Sequence, residues 1–217
     1  MSERYNVPAS DVLGENYKIT SVECSDYNPA IDGTITVTIS VNDVYGDAVS
    51  GESVTVTASE GNFTQLNGSD ITSASSVTGT TNSSGQFTLT YACSVWGLIT
   101  FTANNKTTQA NVTGWKQMQT LASDKVKVYT DGKFCKIRIG GSFTTSTSAG
   151  EYTLATIDSA YQSDANYVTP STTATTTYFP VYLKSDNSAV YVYKGSTSSS
   201  STTCYCTLFY PLKTPLY

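Results

Sequence analysis

A chain of 217 residues with 12% aromatic side chains is too apolar for a disordered polar tract and long enough for two domains of about 100 residues each. It contains no histidine, which excludes Ser-His-Asp and Cys-His catalysis and the usual Cys/His zinc sites. The net charge of −5 is uneven: residues 1–114 hold three bases against eleven acids, a net −8, and residues 115–217 hold nine against six, a net +3, too scattered for tracking nucleic acid.

Residues 1–20 are polar, with Pro8, Gly14 and no clean period, and read as a connector or tethered arm. Thr34 to Val41 then alternates strictly, with Ile35, Val37, Ile39 and Val41 on one side and Thr or Ser on the other, the pattern of a half-buried strand. Asp43 to Asp47 supplies a turn, and Val54 to Ala58 repeats the alternation. Gly61, Asn67-Gly68 and Gly79 punctuate a loop-rich middle. Phe87, Leu89, Tyr91 and Cys93 alternate again, followed by Ile99, Phe101 and Ala103, then Ala110 and Val112. Short strands separated by regular turns predict a β-sandwich over residues 21–113.

Thr113-Gly114-Trp115 reads as a linker into a second β domain, residues 115–217. Val126/Val128 and Ile137/Ile139 flank Asp131-Gly132, a hairpin signal in which both turn residues are expected at positive φ. Later strands are expected at Tyr178 to Leu183, Ala189 to Lys194 and Cys204 to Tyr210, with Ser196 to Thr203 as a polar loop. The fold class expected is all-β: an Ig-like sandwich followed by a second antiparallel, jelly-roll-like sandwich.

Two resemblances follow. From Ile35 to Thr113 the chain resembles bacterial immunoglobulin-like domains of the invasin/intimin type, through Asp43, Gly46, Val49 and Gly51 after the first strand and Thr81 and Gly85 before a late one. That resemblance implies a spacer with no active site. The second half resembles the heads of tail-fibre and baseplate receptor-binding proteins of phages and archaeal viruses. Ile137, Ile139, Gly141 and Phe143 match one segment of that pattern, and Gly150, Tyr152, Leu154 and Ile157 match another. The loop that follows, IDSAYQSDANYVTP, keeps Tyr161 or Tyr167 and Pro170 but lacks the family's first Pro and its Gly.

The five cysteines form no CxxC pair. Cys204 and Cys206 lie two apart on one strand face, which suits burial as small hydrophobes in a reducing compartment. No metal, cofactor or catalytic residue is expected. Asp158, Asp164 and Glu151 are the carboxylates nearest to a glycosidase pair and read as solvated. No run of 18 apolar residues predicts membrane insertion, and no signal peptide is evident. Tyr161, Tyr167 and Tyr178 sit in or beside a long Ile157–Thr177 loop. Each has two readings: an aromatic face for sugar rings, or a plug at the sandwich end. Taken with the second resemblance, they imply a virion protein that attaches to a host cell-surface glycan or protein. Such a protein is expected as a homotrimer through residues 115–217, joined to other tail proteins through its N-terminus. The alternatives are a fragment of a cell-surface adhesin and a structural virion component.

Overall fold

Alternation in the first half becomes nine strands: β1 (Ile19–Cys24), β2 (Thr34–Asn42), β3 (Ser53–Ala58), β4 (Asn62–Leu66), β5 (Ser69–Ala74), β6 (Ser76–Thr80), β7 (Gln86–Ala92), β8 (Gly97–Ala103) and β9 (Lys106–Val112). They come from a computed structural model that describes residues 19–171, 179–185, 188–195 and 199–217. The chain divides into two compact units at Thr113–Gly114.

In the first unit two antiparallel sheets, ordered β1-β2-β7-β4-β5 and β6-β3-β8-β9, enclose one core. Ile35, Val37, Ile39 and Val41 of β2 are buried, as the alternation requires. The centre is aromatic: Phe101 of β8 reaches across to Phe63 of β4 and Tyr91 of β7, with ring centroids 5.9 and 5.0 Å away. Edge-on contacts of this kind add about 1 kcal/mol each beyond the area they bury. The expected loop-rich middle is instead three short strands, β4 to β6. Asn67 (φ 50°) and Gly68 (φ 77°) form a two-residue hairpin turn between β4 and β5, for which Asn-Gly is the favoured pair. The burial pattern of β5 and β6 is mostly exposed, so neither carried a hydrophobic period to read. The connector also ends sooner than expected, because β1 starts at Ile19 and pairs with β2 along its whole length.

The residues that carried the Ig-like resemblance lock one end of this sandwich. The Asp43 carboxylate accepts from the Tyr45 and Asp47 backbone N–H groups at 2.9 Å each, closing the turn after β2. Thr81, only 3% exposed, donates its hydroxyl to the Val49 carbonyl at 2.7 Å and accepts from the Glu52 N–H at 2.9 Å. The Gly51 N–H reaches the Thr81 carbonyl, and the Val41 N–H reaches the Gly85 carbonyl. Gly85, at φ 70°, lies so close to β2 that a Cβ would stand 2.6 Å from the Val41 carbonyl oxygen.

Among the described residues the second unit has eight strands in two antiparallel sheets: β10 (Lys116–Leu121), β11 (Val126–Thr130), β12 (Phe134–Thr144), β13 (Gly150–Thr156), β14 (Tyr167–Ser171), β15 (Phe179–Leu183), β16 (Ala189–Lys194) and β17 (Ser201–Pro211). Their orders are β10-β11-β12-β17 and β13-β16-β15-β14. The β11–β12 hairpin pairs Val126 with Ile139 and Val128 with Ile137. Its turn is longer than the expected two residues, and only Gly132 is at positive φ. The Asp131 carboxylate takes the Lys133 and Phe134 N–H groups at 3.0 and 2.8 Å, while the Thr130 hydroxyl bridges Gly132 N–H and Phe134 carbonyl. These side-chain bonds replace the second left-handed residue.

Two expected loops contain strand. Ser201–Thr203 belongs to β17, paired with Ser142–Thr144, and the Thr203 and Ser142 hydroxyls meet at 2.6 Å. Within Ile157–Thr177, Ser159–Tyr161 is a 3-10 turn and Tyr167–Ser171 is β14, where Pro170 opposes Pro180 on an edge that tolerates proline. Lys194 of β16 is 1% exposed, and its ammonium donates to the Thr145 hydroxyl (3.1 Å) and to the Ser146 (2.9 Å) and Ser199 carbonyls. All three N–H donors are used, tying two loops to one strand.

Gly85→Ala is expected to cost about 3 kcal/mol, because left-handed strain adds to a backbone clash. Gly46→Ala, equally left-handed but open to solvent, is expected to cost about 1 kcal/mol. Lys194→Met, which removes the three hydrogen bonds of a buried ammonium, is expected to cost about 3 kcal/mol. Urea unfolding midpoints of the three variants against wild type check all of these.

Candidate functional site

The tyrosines singled out in the sequence do not form one exposed face. Tyr161 is 8% exposed, packed in the core of the second unit, and its carbonyl accepts the Tyr210 hydroxyl at 2.7 Å. Tyr167 is half-buried with its ring 5.4 Å from that of Tyr210. Tyr161 therefore plugs the sandwich, while Tyr167 packs its ring on Tyr210 and stays partly exposed. Tyr178 lies outside the described residues. Of the carboxylates, Asp158 caps the 3-10 turn through the Ala160 N–H (2.9 Å). Glu151 accepts from Lys184 (2.7 Å) and from the Tyr182 hydroxyl, and these bonds hold its carboxyl below the usual range. Among the described residues no three His, Cys, Asp or Glu side chains gather as a metal site, and no helix is long and apolar enough to cross a membrane.

What the fold does assemble is the outer face of the β10-β11-β12-β17 sheet. Strand parity that sends Cys135, Ile137 and Ile139 into the core sends Phe134, Lys136 and Arg138 outward. Register then sets the rows. Lys136 lies between Tyr129 and Phe209, Arg138 between Lys127 and Thr207, and Gly140 opposite Tyr205. Phe209 (54% exposed) stacks on Phe134 at 5.4 Å with planes 8° apart, and Trp115 adds a third ring 5.9 Å from Phe209. The Lys136 ammonium sits 4.6 Å from the Trp115 ring and 5.2 Å from that of Tyr129. Exposed cation–π pairs contribute about 0.5–1 kcal/mol each, enough to preorganise the side chains.

Beside these rings a groove of about 460 Å³ runs between Asp124, Lys127, Tyr129, Arg138, Gly140 and Tyr205. Its rim is the β10–β11 turn, where Ala122, Ser123 and Asp124 are three consecutive non-glycine residues at positive φ. Each costs about 1 kcal/mol relative to ordinary backbone, strain of the sort held at binding sites. Lys125 bolts this turn to β12 by donating to the Ser142 carbonyl at 2.6 Å. Lys127 stands 3.9 Å from the Asp124 carboxylate. Arg138 is exposed and has no hydrogen-bond or ion-pair partner among the described residues.

The other sheet's outer face differs in its electrostatics. Tyr182 and Tyr191 stack at 5.8 Å, and Lys184 lies 4.8 Å from the Tyr191 ring while pairing with Glu151. Its charge is satisfied internally. Sequence reasoning missed the first face because the positive charge of residues 115–217 reads as scattered. The available signal was CYCTLFYP, where Tyr205 and Phe209 are apolar on the strand side that should be polar.

No protein-family model and no curated protein matches the chain. Among solved structures, the adhesin InvE of Yersinia pseudotuberculosis is similar at 13% identity and a TM-score of 0.38 over 84% of this chain, which spans 53% of that structure. Domains 5-6 of the S-layer protein SbsC match at 15% identity and a TM-score of 0.28, covering 89% of this chain and 97% of that one. Domains 4-9 of SbsC match at 14% and 0.29, covering 90% of this chain and 31% of that one. Identities and scores this low do not establish a common arrangement over the whole chain.

All five cysteines are free thiols, and only Cys206 is not fully buried. Burial pushes Cys24 and Cys135 up to about 11 and Cys206 up to about 12, and raises Cys93 and Cys204 in the same direction. At pH 8 the thiolate fraction at a pKa near 11 is about one in a thousand, so the folded chain is expected to leave Ellman's reagent unreacted while the urea-unfolded chain releases five equivalents. A raised thiol pKa contributes stability that is complete below the unfolded value near 9 and is lost as pH rises through the folded one. Unfolding midpoints should therefore be flat between about pH 6 and 8 and fall between about pH 9 and 12.

Proposed function

We propose that this chain is a non-catalytic attachment module of a cell-surface adhesin, in which the first unit is an Ig-like spacer and the second presents the ligand-binding face. The observation that carries the reading is the exposed ladder of Trp115, Phe134, Phe209, Tyr129 and Tyr205 interleaved with Lys136, Lys127 and Arg138. Exposed rings held in register, Phe134 and Phe209 parallel and Trp115 tilted 52° to Phe209, are a solvation cost for a monomer to keep, and they suit ligands with apolar faces and charged or hydroxylated edges. The first unit supports the spacer role through its own closed core and its hydrogen-bonded end. The outward residues of β2, β3 and β7 are mostly Thr, Ser and Asn.

A virion attachment protein would use the same face. Of the residues that suggested it, Ile137, Ile139, Phe143, Leu154 and Ile157 are core positions, Tyr152 is partly buried against that core, and Gly141 and Gly150 lie on β12 and at the start of β13. They account for a sandwich and carry no role at its surface, so the cell-surface carrier is preferred.

The double variant Trp115→Ala/Phe209→Ala should keep the wild-type far-UV spectrum and lower binding to an immobilised panel of cell-surface glycans by about tenfold or more. A double variant that binds as wild type, or a wild type that binds nothing on the panel, defeats the reading. Light scattering should return a single-chain mass of 23.2 kDa. Three times that mass would favour the trimeric virion tip.

A further inference from the structure

The ladder and the groove differ in what they offer a ligand. In the ladder Lys136 is engaged by two rings, and at the groove's edges Lys125 is held by a carbonyl and Lys127 stands near Asp124. That leaves Arg138, which lines the groove, as a planar guanidinium with no hydrogen-bond or ion-pair partner among the described residues. Two residues along the same strand, Gly140 presents no side chain, and the Tyr205 ring lies 3.6 Å from where its Cβ would be. The result is a bare patch of sheet between one cation and one aromatic ring. Along a strand, positions two apart are about 7 Å from each other. A ligand that uses both must therefore carry its negative charge on, or one bond from, a ring-shaped apolar body.

Resting on the attachment reading, we propose that the Arg138–Tyr205 groove binds an acidic sugar whose carboxylate is borne by the ring itself, a uronic acid unit of a polysaccharide. The carboxylate takes the guanidinium in a forked pair while the pyranose face lies on Tyr205 over Gly140. Charge complementarity selects this occupant. One open cation matches one anion per sugar, whereas a nucleic acid strand needs a track of cations that the engaged lysines do not provide. Polyol phosphates offer the anion without a ring and would leave Tyr205 unused.

The test is calorimetric titration of the full chain with tetragalacturonate, with neutral cellotetraose and the single strand (dT)12 as comparison ligands. Arg138→Gln and Tyr205→Ala are assayed beside wild type, with circular dichroism to establish folding. Tetragalacturonate should bind at least tenfold more tightly than cellotetraose. Arg138→Gln should remove that margin, and Tyr205→Ala should weaken both sugars. Absence of tetragalacturonate binding, or binding unchanged in Arg138→Gln, overturns the proposal. Tighter binding of (dT)12 than of tetragalacturonate overturns it in favour of a nucleic acid. Glycan-panel binding that is lost in Trp115→Ala/Phe209→Ala but intact in Arg138→Gln overturns this assignment alone and leaves the attachment reading standing.

Discussion

The second unit depends on one pairing. Eleven residues of β12 face eleven of β17 without a register break, from Phe134 opposite Pro211 to Thr144 opposite Ser201. That ladder sends Cys135, Ile137, Cys204, Leu208 and Tyr210 into the core and places Lys136 beside Phe209 and Gly140 beside Tyr205 on the other side. Because the side-chain period is two, a slip of one residue would bury Arg138 and expose Ile137. Core and candidate site are thus two faces of the same register, and the cost of burying a guanidinium protects the site's geometry.

The two units solve the same problem with different means. The first closes its sandwich with an aromatic trio across the sheets and locks one end through Asp43, Thr81 and Gly85. The second packs a core of aliphatic residues with Phe143, Tyr161 and Tyr210 and ties its loops with a buried lysine. Lys194 illustrates how a buried ammonium is tolerated: its donors are spent on carbonyls and a hydroxyl that would otherwise need water.

Much of the architecture was legible because alternation is a direct consequence of burying one face of a strand. Val126/Val128 and Ile137/Ile139 gave the hairpin, and Ile35 to Val41 gave β2, with few residues in doubt. Strands without that asymmetry were invisible: β10, with Gln117 and Gln119, and β5, with almost no buried side chain, are held by backbone pairing that sequence does not display. The sequence leaves Tyr161 and Tyr167 open between surface and core, because a loop is expected where a turn and a strand exist and tyrosine suits either environment. The candidate face escaped notice for a different reason. It is made by three strands, two of which lie about 70 residues from the third, and only register brings Lys136 to Phe209.

That same separation has a kinetic side. β12 emerges in the middle of the unit and β17 last, so the pair must close a loop across β13 to β16 before either gains its hydrogen bonds. Loop closure of this length makes such non-local pairing slow. In the interval β12 presents an open, long and partly aromatic edge, a template that the β17 of a second chain fits as well as its own. The fold thus carries a route to strand exchange between molecules, set by its connectivity and independent of what the finished surface binds.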